Sequence, residues 1–399
     1  PKEYWKIEAD FWKNNLPPFK AVLEKIEGKK IEIPDEKSAI AIVENIQNTE
    51  AILSEIKRSN RNVEPLPPFI TSTLQQEASK LLGFPAQKTM SIAQVLYEGI
   101  DLGGESTGLI TYMRTDSTRI AEEAISKVQN LIKERFGADL VNPKVRVFKN
   151  KQSAQDAHEA IRPTDPFRTP ESVAQYLTKE QLKLYTLIWQ RFIASQMIPV
   201  KLLSTSVKIN AGKAEFVSSG AQIVEEGFLK AYPHINIPLG EKIHSDYTKD
   251  DVLEHSPLEK TQHFTTPPAR YTEASLIKEL EAKGIGRPST YATIIETLRK
   301  RKYVTMEKKA FLPTQLGSDV NRFLVDKFDY LFNVQFTAEM ETKLDEVEYS
   351  KIAWNEVVQE YYDQLIALIR QVDVKKENHT FVQDTGIVCD VCKQGTMLI

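Results

Sequence analysis

Cysteine is nearly absent from this chain. Cys389 and Cys392 are the two in 399 residues, so no disulfide framework is implied and a reducing, cytoplasmic setting is expected. No apolar run is long enough to span a bilayer, which excludes a membrane-spanning helix. Positive charge is not in excess either. Lys and Arg number 52 against 55 Asp and Glu, a formal net charge of −3. A protein that clings everywhere to phosphate is thereby excluded, and any contact with nucleic acid must be local. An initiator Met is missing too, and Pro1-Lys2-Glu3-Tyr4-Trp5 opens inside a strand-like pattern. The expectation is a piece of a longer protein. What is present is ordinary for a globular chain, 41% hydrophobic and 27% charged, with a length that predicts roughly two to four domains.

Periodicity organises the chain. Trp5, Ile7, Ala9 and Phe11 alternate with Lys6, Glu8 and Asp10, a half-buried strand. Glu36 to Gln47 reads as a helix and Ile52 to Arg61 as a polar strand, stopped by Pro65-Leu66-Pro67-Pro68. From Ser72 the pattern is helical. Leu74, Ala78, Leu81 and Leu82 form one apolar face, and further helices are predicted over Ser91–Glu98, Glu122–Phe136 and Lys179–Gln196. Alternation returns near Val200, with Leu203, Thr205, Val207 and Ile209 facing one way and a hairpin turn at Asn210-Ala211-Gly212-Lys213. Thr272 caps a helix ending near Gly284, and Pro288 suits the start of the next, with Tyr291, Ile294, Ile295 and Leu298 on its apolar face. A hairpin over Tyr303–Leu312 completes a winged-helix-like unit. Arg287 to Lys309 is locally basic. A long helix follows, whose stripe of Trp354, Val358, Tyr361, Leu365 and Ile369 is expected to be core.

The chemistry concentrates in Gly108-Leu-Ile-Thr-Tyr-Met-Arg-Thr-Asp-Ser-Thr118. A tyrosine oxygen can attack a phosphodiester and hold the cut strand as a phosphotyrosine. A guanidinium can stabilise the charge that builds on the phosphoryl oxygens. In extended backbone, residues two apart share a face, so Tyr112 and Arg114 can meet one phosphate. A structural tyrosine beside a surface arginine would look the same on these residues alone.

That stretch closely resembles the active-site segment of type IA DNA topoisomerases of the bacterial topoisomerase I class. Four more segments match the same family in order. They are Pro67-Pro-Phe-Ile-Thr-Ser-Thr-Leu-Gln75, Asp156-Ala-His-Glu-Ala-Ile-Arg-Pro163, Arg270-Tyr-Thr-Glu-Ala-Ser-Leu-Ile277 and Gly284-Ile-Gly-Arg-Pro-Ser-Thr-Tyr-Ala292. The resemblance runs from about Tyr4 to about Arg370. It implies a multidomain α+β fold, part of a toroidal core. A β arch (1–71 and 199–263) would carry an inserted helical, winged-helix-like gate domain (72–198). A helical winged-helix-like domain (264–375) and a truncated zinc ribbon (376–399) would follow.

The resemblance also implies roles. Tyr112 would be the nucleophile, with Arg114 binding the scissile phosphate and His158 assisting by charge or hydrogen bonds. Thr111, Thr115, Asp116, Arg162, Arg287, Ser289 and Thr290 would contact DNA or organise those contacts. A cation, two hydroxyls and a helix start at Arg287, Ser289 and Thr290 make a phosphate site on physical grounds as well. His158 and Arg162 would share a face if their segment were helical, and Glu159 reads as structural. The parent is expected to relax negatively supercoiled DNA without ATP, as a monomer, acting on single-stranded regions.

Its Mg2+ would be bound by an upstream Toprim domain that no segment here matches, and Asp101 and Glu105 do not replace that domain's acids. The piece alone is therefore expected to be inactive or nearly so. Cys389-Asp390-Val391-Cys392 is half a zinc site, and zinc is not expected here, since four ligands are needed, a second pair is missing before Ile399, and the ten-residue gap makes His379 an unusual third ligand. One alternative is a non-catalytic module binding single-stranded or duplex DNA. Tyrosine recombinases and type IB enzymes need a dispersed Arg set around a late tyrosine, and reverse gyrases a helicase, and neither pattern is present.

Overall fold

The computed structural model describes residues 1–148, 158–371, 384–388, 390, 393–394 and 396–398. Cys389, Cys392, Gly395 and His379 of the half zinc site, and Asp156 and Ala157 of one motif, lie outside the described residues. The chain forms two compact units. The first is Pro1–Lys278 with Arg287–Glu296 and Glu307–Phe311, and the second is Glu279–Gly286, Thr297–Met306 and Leu312–Ile399.

In chain order the elements begin with β1 (Glu3–Trp12), β2 (Phe19–Ile26), β3 (Lys29–Lys30), α1 (Glu36–Ile46) and β4 (Ala51–Val63). Then come α2 (Thr71–Glu77), α3 (Ala86–Glu98), β5 (Ile100–Asp101), β6 (Ser106–Thr107), α4 (Glu122–Arg135), α5 (Pro170–Val173) and α6 (Lys179–Ser195). Strands return as β7 (Val200–Ala211), β8 (Ala214–Glu225), β9 (Val252–His255) and β10 (Glu259–Phe264). They are followed by α7 (Glu273–Ala282), α8 (Tyr291–Lys300), β11 (Val304–Glu307), β12 (Ala310–Pro313), α9 (Gln315–Lys327), α10 (Val334–Glu348) and α11 (Trp354–Gln371).

Eight strands form one antiparallel sheet in the order β10-β1-β9-β4-β7-β8-β2-β3, and a further β1–β2 pairing closes six of them into a ring. The ring buries the inward side of the alternating pattern. Ile7, Phe11, Phe19, Leu53 and Phe216 are at most 1% exposed, and Phe11 meets Phe216 edge to face at 5.3 Å. The second core of this unit belongs to the helical block and gathers Phe69, Ile110, Met113, Ile161, Tyr185 and Phe192. Burying each such side chain contributes about 1.5–3 kcal/mol.

Strands β4, β7 and β8 serve both cores from opposite faces. Val207, Ile209 and Phe216 point into the ring, whereas Val200 and Leu202 enter the helical block. The alternation expected through Leu203, Thr205, Val207 and Ile209 is present, but Leu203 is only half-buried while Leu202 is sealed. The covered face changes where one core gives way to the other.

Three other expectations are corrected. Leu81 is 39% exposed, because Ala78–Leu82 is a π turn, whose wider spacing rotates Leu81 away from the face shared by Leu74 and Ala78. Residues 158–163 are extended rather than helical. Ile161 bridges Phe69 and Pro163 bridges Ile110, and a residue before proline disfavours the helical region. The stripe on α11 is not core. Trp354 is 67% and Val358 56% exposed, since helical spacing marks an apolar face without supplying a surface to cover it.

Arg191 of α6, 4% exposed, is the strut of the helical block. Its Nε donates to Pro67 O at 2.7 Å, and its guanidinium lies over the Phe69 ring at 4.7 Å and the Tyr232 ring at 5.3 Å. Burial lowers its pKa, opposed by Tyr232 and Glu77, and burial pushes the Tyr232 hydroxyl up to about 12. We expect Arg191→Met to cost about 1–3 kcal/mol, because it removes a charged hydrogen bond to a half-buried carbonyl, as read by urea unfolding.

Arg135 of α4 holds Glu171 of α5 at 3.0 Å, and those hydrogen bonds lower the Glu171 carboxyl to about 2 from 4.5. A folded value below the unfolded one gives stability that is complete above the unfolded value and disappears as pH falls toward the folded one. Glu171→Gln should therefore lower the melting temperature slightly at neutral pH, and the difference should vanish as pH falls from 4.5 to 2.

Candidate active site

The segment carrying Tyr112 is held by backbone bonds on two sides. On one side Leu109 N donates to Leu96 O at 2.7 Å and Thr111 N to Arg162 O at 2.9 Å, and Thr164 N returns a bond to Leu109 O at 3.0 Å. On the other, Thr71 N donates to Thr115 O at 2.9 Å. The Thr71 hydroxyl donates toward Met113 O at 2.7 Å and Thr115 O at 3.0 Å, and accepts from Thr115 N at 2.9 Å. Ile161 N closes the assembly on Phe69 O at 2.7 Å. Three of the sequence segments thus interlock. Gly108 is required for the fit, since a Cβ there would come within 2.6 Å of Tyr97 O.

The clamp decides which side chains emerge. Met113, Thr115 and Ser117 are at most 1% exposed, while Tyr112 is 36% exposed and Arg114 is exposed. Tyr112 packs edge to face on Tyr97, 5.5 Å between centroids, and lies 5.3 Å from the His158 ring. Tyr112 and Arg114 line a cavity of about 430 Å³ with Gln87, Ser91, Gln94 and Glu98 of α3 and with Pro288, Ser289 and Thr293. Of the segment at 284–292, Pro288, Ser289 and Ala292 line this cavity. The segment at 270–277 is tied in as well, for the buried Glu273 carboxylate accepts from Ala86 N at 2.9 Å, at the start of α3.

The remaining candidates divide by what their polar atoms do. Arg114 and Asp116 make no hydrogen bond or ion pair among the described residues. The Thr111 hydroxyl donates to Ala160 O at 2.7 Å and accepts from Arg162 N at 3.0 Å. The Thr115 hydroxyl accepts from Ser117 N at 3.0 Å. Arg162, 9% exposed, is bonded to Glu159 at 2.8 Å and to Pro163 O at 3.0 Å. The Thr290 hydroxyl accepts from Arg287 N at 2.8 Å and so shapes the turn before α8. These four side chains build the site's frame, while Ser289 faces the cavity. Asp101 accepts from Gly103 and Gly104 N and shapes a turn.

Sequence reasoning missed the stripe on α3. Gln87, Ser91, Gln94 and Glu98 recur at helical spacing, and a polar stripe on a helix whose opposite face buries Ala86, Thr89, Ala93 and Leu96 was the available signal. Thr71 left no such signal, because nothing local shows what its hydroxyl holds. Among the described residues no group of three or more His, Cys, Asp or Glu converges to hold a metal. The one carboxylate among the described residues lining the Tyr112 cavity is Glu98.

The sequence pattern of the DNA topoisomerase family matches residues 1–359. The chain belongs to that family. It is 42% identical over 395 residues to DNA topoisomerase 1 of Treponema pallidum (strain Nichols), covering 98% of this chain and 54% of that protein. It is 44% identical over 376 residues to DNA topoisomerase 1 of Xylella fastidiosa (strain Temecula1 / ATCC 700964), covering 90% and 46%. Among solved structures it is similar to full-length topoisomerase I from Thermotoga maritima in a monoclinic crystal form, with TM-score 0.77 and 37% identity over 92% of this chain and 58% of that one. The chain thus spans about half the length of the curated topoisomerases it matches, and its mixed α and β architecture is that of the topoisomerase I core. No helix among the described residues is long and apolar enough to cross a membrane.

Thr71→Val keeps the shape of the clamp and removes its hydroxyl. It should cost about 1–3 kcal/mol in urea unfolding. If Thr71 also sets the site, Thr71→Ser, which keeps the hydroxyl, should restore both stability and any activity lost.

Proposed function

We propose that this chain supplies the nucleophile and the gate of an ATP-independent topoisomerase acting on single-stranded regions of negatively supercoiled DNA. The observation that carries this reading is the joint emergence of Tyr112 and Arg114 on one side of a rigidly clamped segment, facing a polar cavity. The Tyr112 oxygen attacks the scissile phosphorus as its proton leaves. The bond to the 3′ oxygen breaks, that oxygen leaves as a hydroxyl after protonation, and the 5′ phosphate stays on Tyr112. Arg114 stabilises the phosphoryl oxygens, with His158 adding charge or a hydrogen bond from beside the ring. One phosphodiester is exchanged for another, so religation is the reverse step and no ATP is required.

Of the remaining candidates, Ser289 and Arg287 are assigned to the strand, and Thr111, Thr115, Arg162 and Thr290 to holding the site in shape. The helical block, joined to the β ring through β4, β7 and β8, swings away on these strands to pass a second DNA strand. No step assigned here to these residues runs through a metal. Mg2+ and the residues that bind it are assigned to the part of the parent that this chain does not match.

A second reading has some support, since Tyr112 packs on Tyr97 and His158 as a structural tyrosine would. The experiment is a denaturing-gel assay for a covalent adduct on a labelled single strand, using the full-length parent. Tyr112→Phe keeps the ring contacts and should abolish the adduct. Arg114→Ala should reduce it by about 10²–10³-fold. No adduct from the folded parent, under conditions where it binds the strand, would leave only the DNA-binding module, and an adduct that survives in Tyr112→Phe would overturn Tyr112 as the nucleophile.

A further inference from the structure

The β4–β7–β8 ribbon carries a second polar groove, on the face turned away from the ring's core. Strand register decides its composition. Lys57, Ser59 and Arg61 alternate along one face of β4. Lys57 opposes Ser206 and Ser59 opposes Ser204 on β7, and Ser206 opposes Ser219 on β8. These six side chains line a groove of about 370 Å³, walled on one side by the 238–240 segment. The opposite face is the one that sends Val207 and Ile209 into the ring. Farther along the strands, the groove's own face meets the helical block, where Leu202 and Ala221 join its core.

This is not the usual composition of a strand face left to water. Serine is not among the β-branched and aromatic residues that favour strands, and of the small hydroxyl side chains threonine is the one enriched there. Here four serines cluster, and their hydroxyls make no side-chain hydrogen bond among the described residues. Arg61 is exposed, and its guanidinium has no hydrogen-bond or ion-pair partner there either. Lys57 touches Glu55 at 2.8 Å yet remains 69% exposed. The short side chains keep the trough shallow, so an extended polymer can lie along it. The two cations are separated by roughly 13 Å of strand, far enough to meet different phosphates. No aromatic ring lines the groove for a base to stack on, so contact would fall on the backbone and be indifferent to sequence.

We propose that this groove binds the sugar–phosphate backbone of a single DNA strand, with Lys57 and Arg61 on phosphates and the serine hydroxyls donating to phosphate or sugar oxygens. It is a binding surface separate from the Tyr112 cavity. The proposal rests on the reading that the chain works on DNA strands.

The test measures fluorescence anisotropy of a labelled oligothymidylate with this chain, across a range of salt. The double variant Lys57→Ala, Arg61→Ala should weaken binding about tenfold and flatten the slope of log K against log salt by about 1.4, two contacts at about 0.7 each. Ser204→Val with Ser206→Val should weaken binding a few-fold and leave the slope alone. Lys29→Ala with Lys30→Ala, exposed on β3 of the same sheet, is the control and should stay within twofold. Melting temperatures confirm that each variant is folded. Unchanged affinity and slope in the folded Lys57, Arg61 variant would overturn the proposal. So would an equal loss in the control, or no binding by the parent chain. A duplex that competes as well as the strand would overturn its single-strand part. The adduct assay on Tyr112 reads a different quantity. Its failure would leave the groove's salt-dependent binding in place, and a failed groove would leave adduct formation on a short strand unchanged.

Discussion

A single hydroxyl organises the site. Thr71, fully buried, binds the backbone of Met113 and Thr115 at three atoms. With Met113 and Thr115 drawn inward, the alternation of extended backbone leaves Tyr112 and Arg114 no direction but outward. The same clamp explains why stretches far apart in the chain are needed together. Phe69, Ile110 and Ile161 form one apolar layer behind the segment, bridged by backbone pairs. A nucleophile and its charge partner are thus positioned by packing, by backbone bonds and by side chains such as Thr71, Thr111 and Arg162 that bond to the backbone.

The β4–β7–β8 ribbon is the second constraint. Its strand pairing runs from the ring to the helical block, with register shifts between Leu53 and Glu55 and between Lys201 and Leu202, and the covered face changes along the way. A sheet can do this because adjacent residues point to opposite sides. Two separately packed cores then share three strands, and the stretch between them leaves polar side chains facing water. That arrangement suits a proposed swing of the block, since the strands can flex where neither core presses on them.

Much of the fold was legible in the sequence. The apolar alternation at Ile7, Ala9 and Phe11 and the turn at Gly212-Lys213 sit where the residues imply. Thr272 caps α7 by accepting from Ser275 N at 3.2 Å. The misses have physical causes. The π turn at Leu81 arises from an extra residue in a helical turn, which periodicity does not register. Residues 158–163 were open to a helical reading until their pairing with Phe69 and Ile110 was seen. The α11 stripe shows an apolar face and nothing about its partner. Arg191 looked like any helix arginine, because its acceptor, Pro67 O, is distant in sequence.

By itself the sequence determined the chemistry available, a tyrosine, an arginine and a histidine in segments matching one family. It also determined the local elements, because capping, turn residues and period act over a few residues. Only the tertiary structure decided which of those groups face the cavity and which are spent on the protein. Thr111, Thr115 and Arg162 carry the same donors as a phosphate site would, but the Thr111 hydroxyl is taken by the 160–162 segment, and Thr115 and Arg162 are taken by near neighbours once the chain is held in this shape. Whether a hydroxyl or guanidinium is free depends on those partners, and they are brought together only when the cores pack.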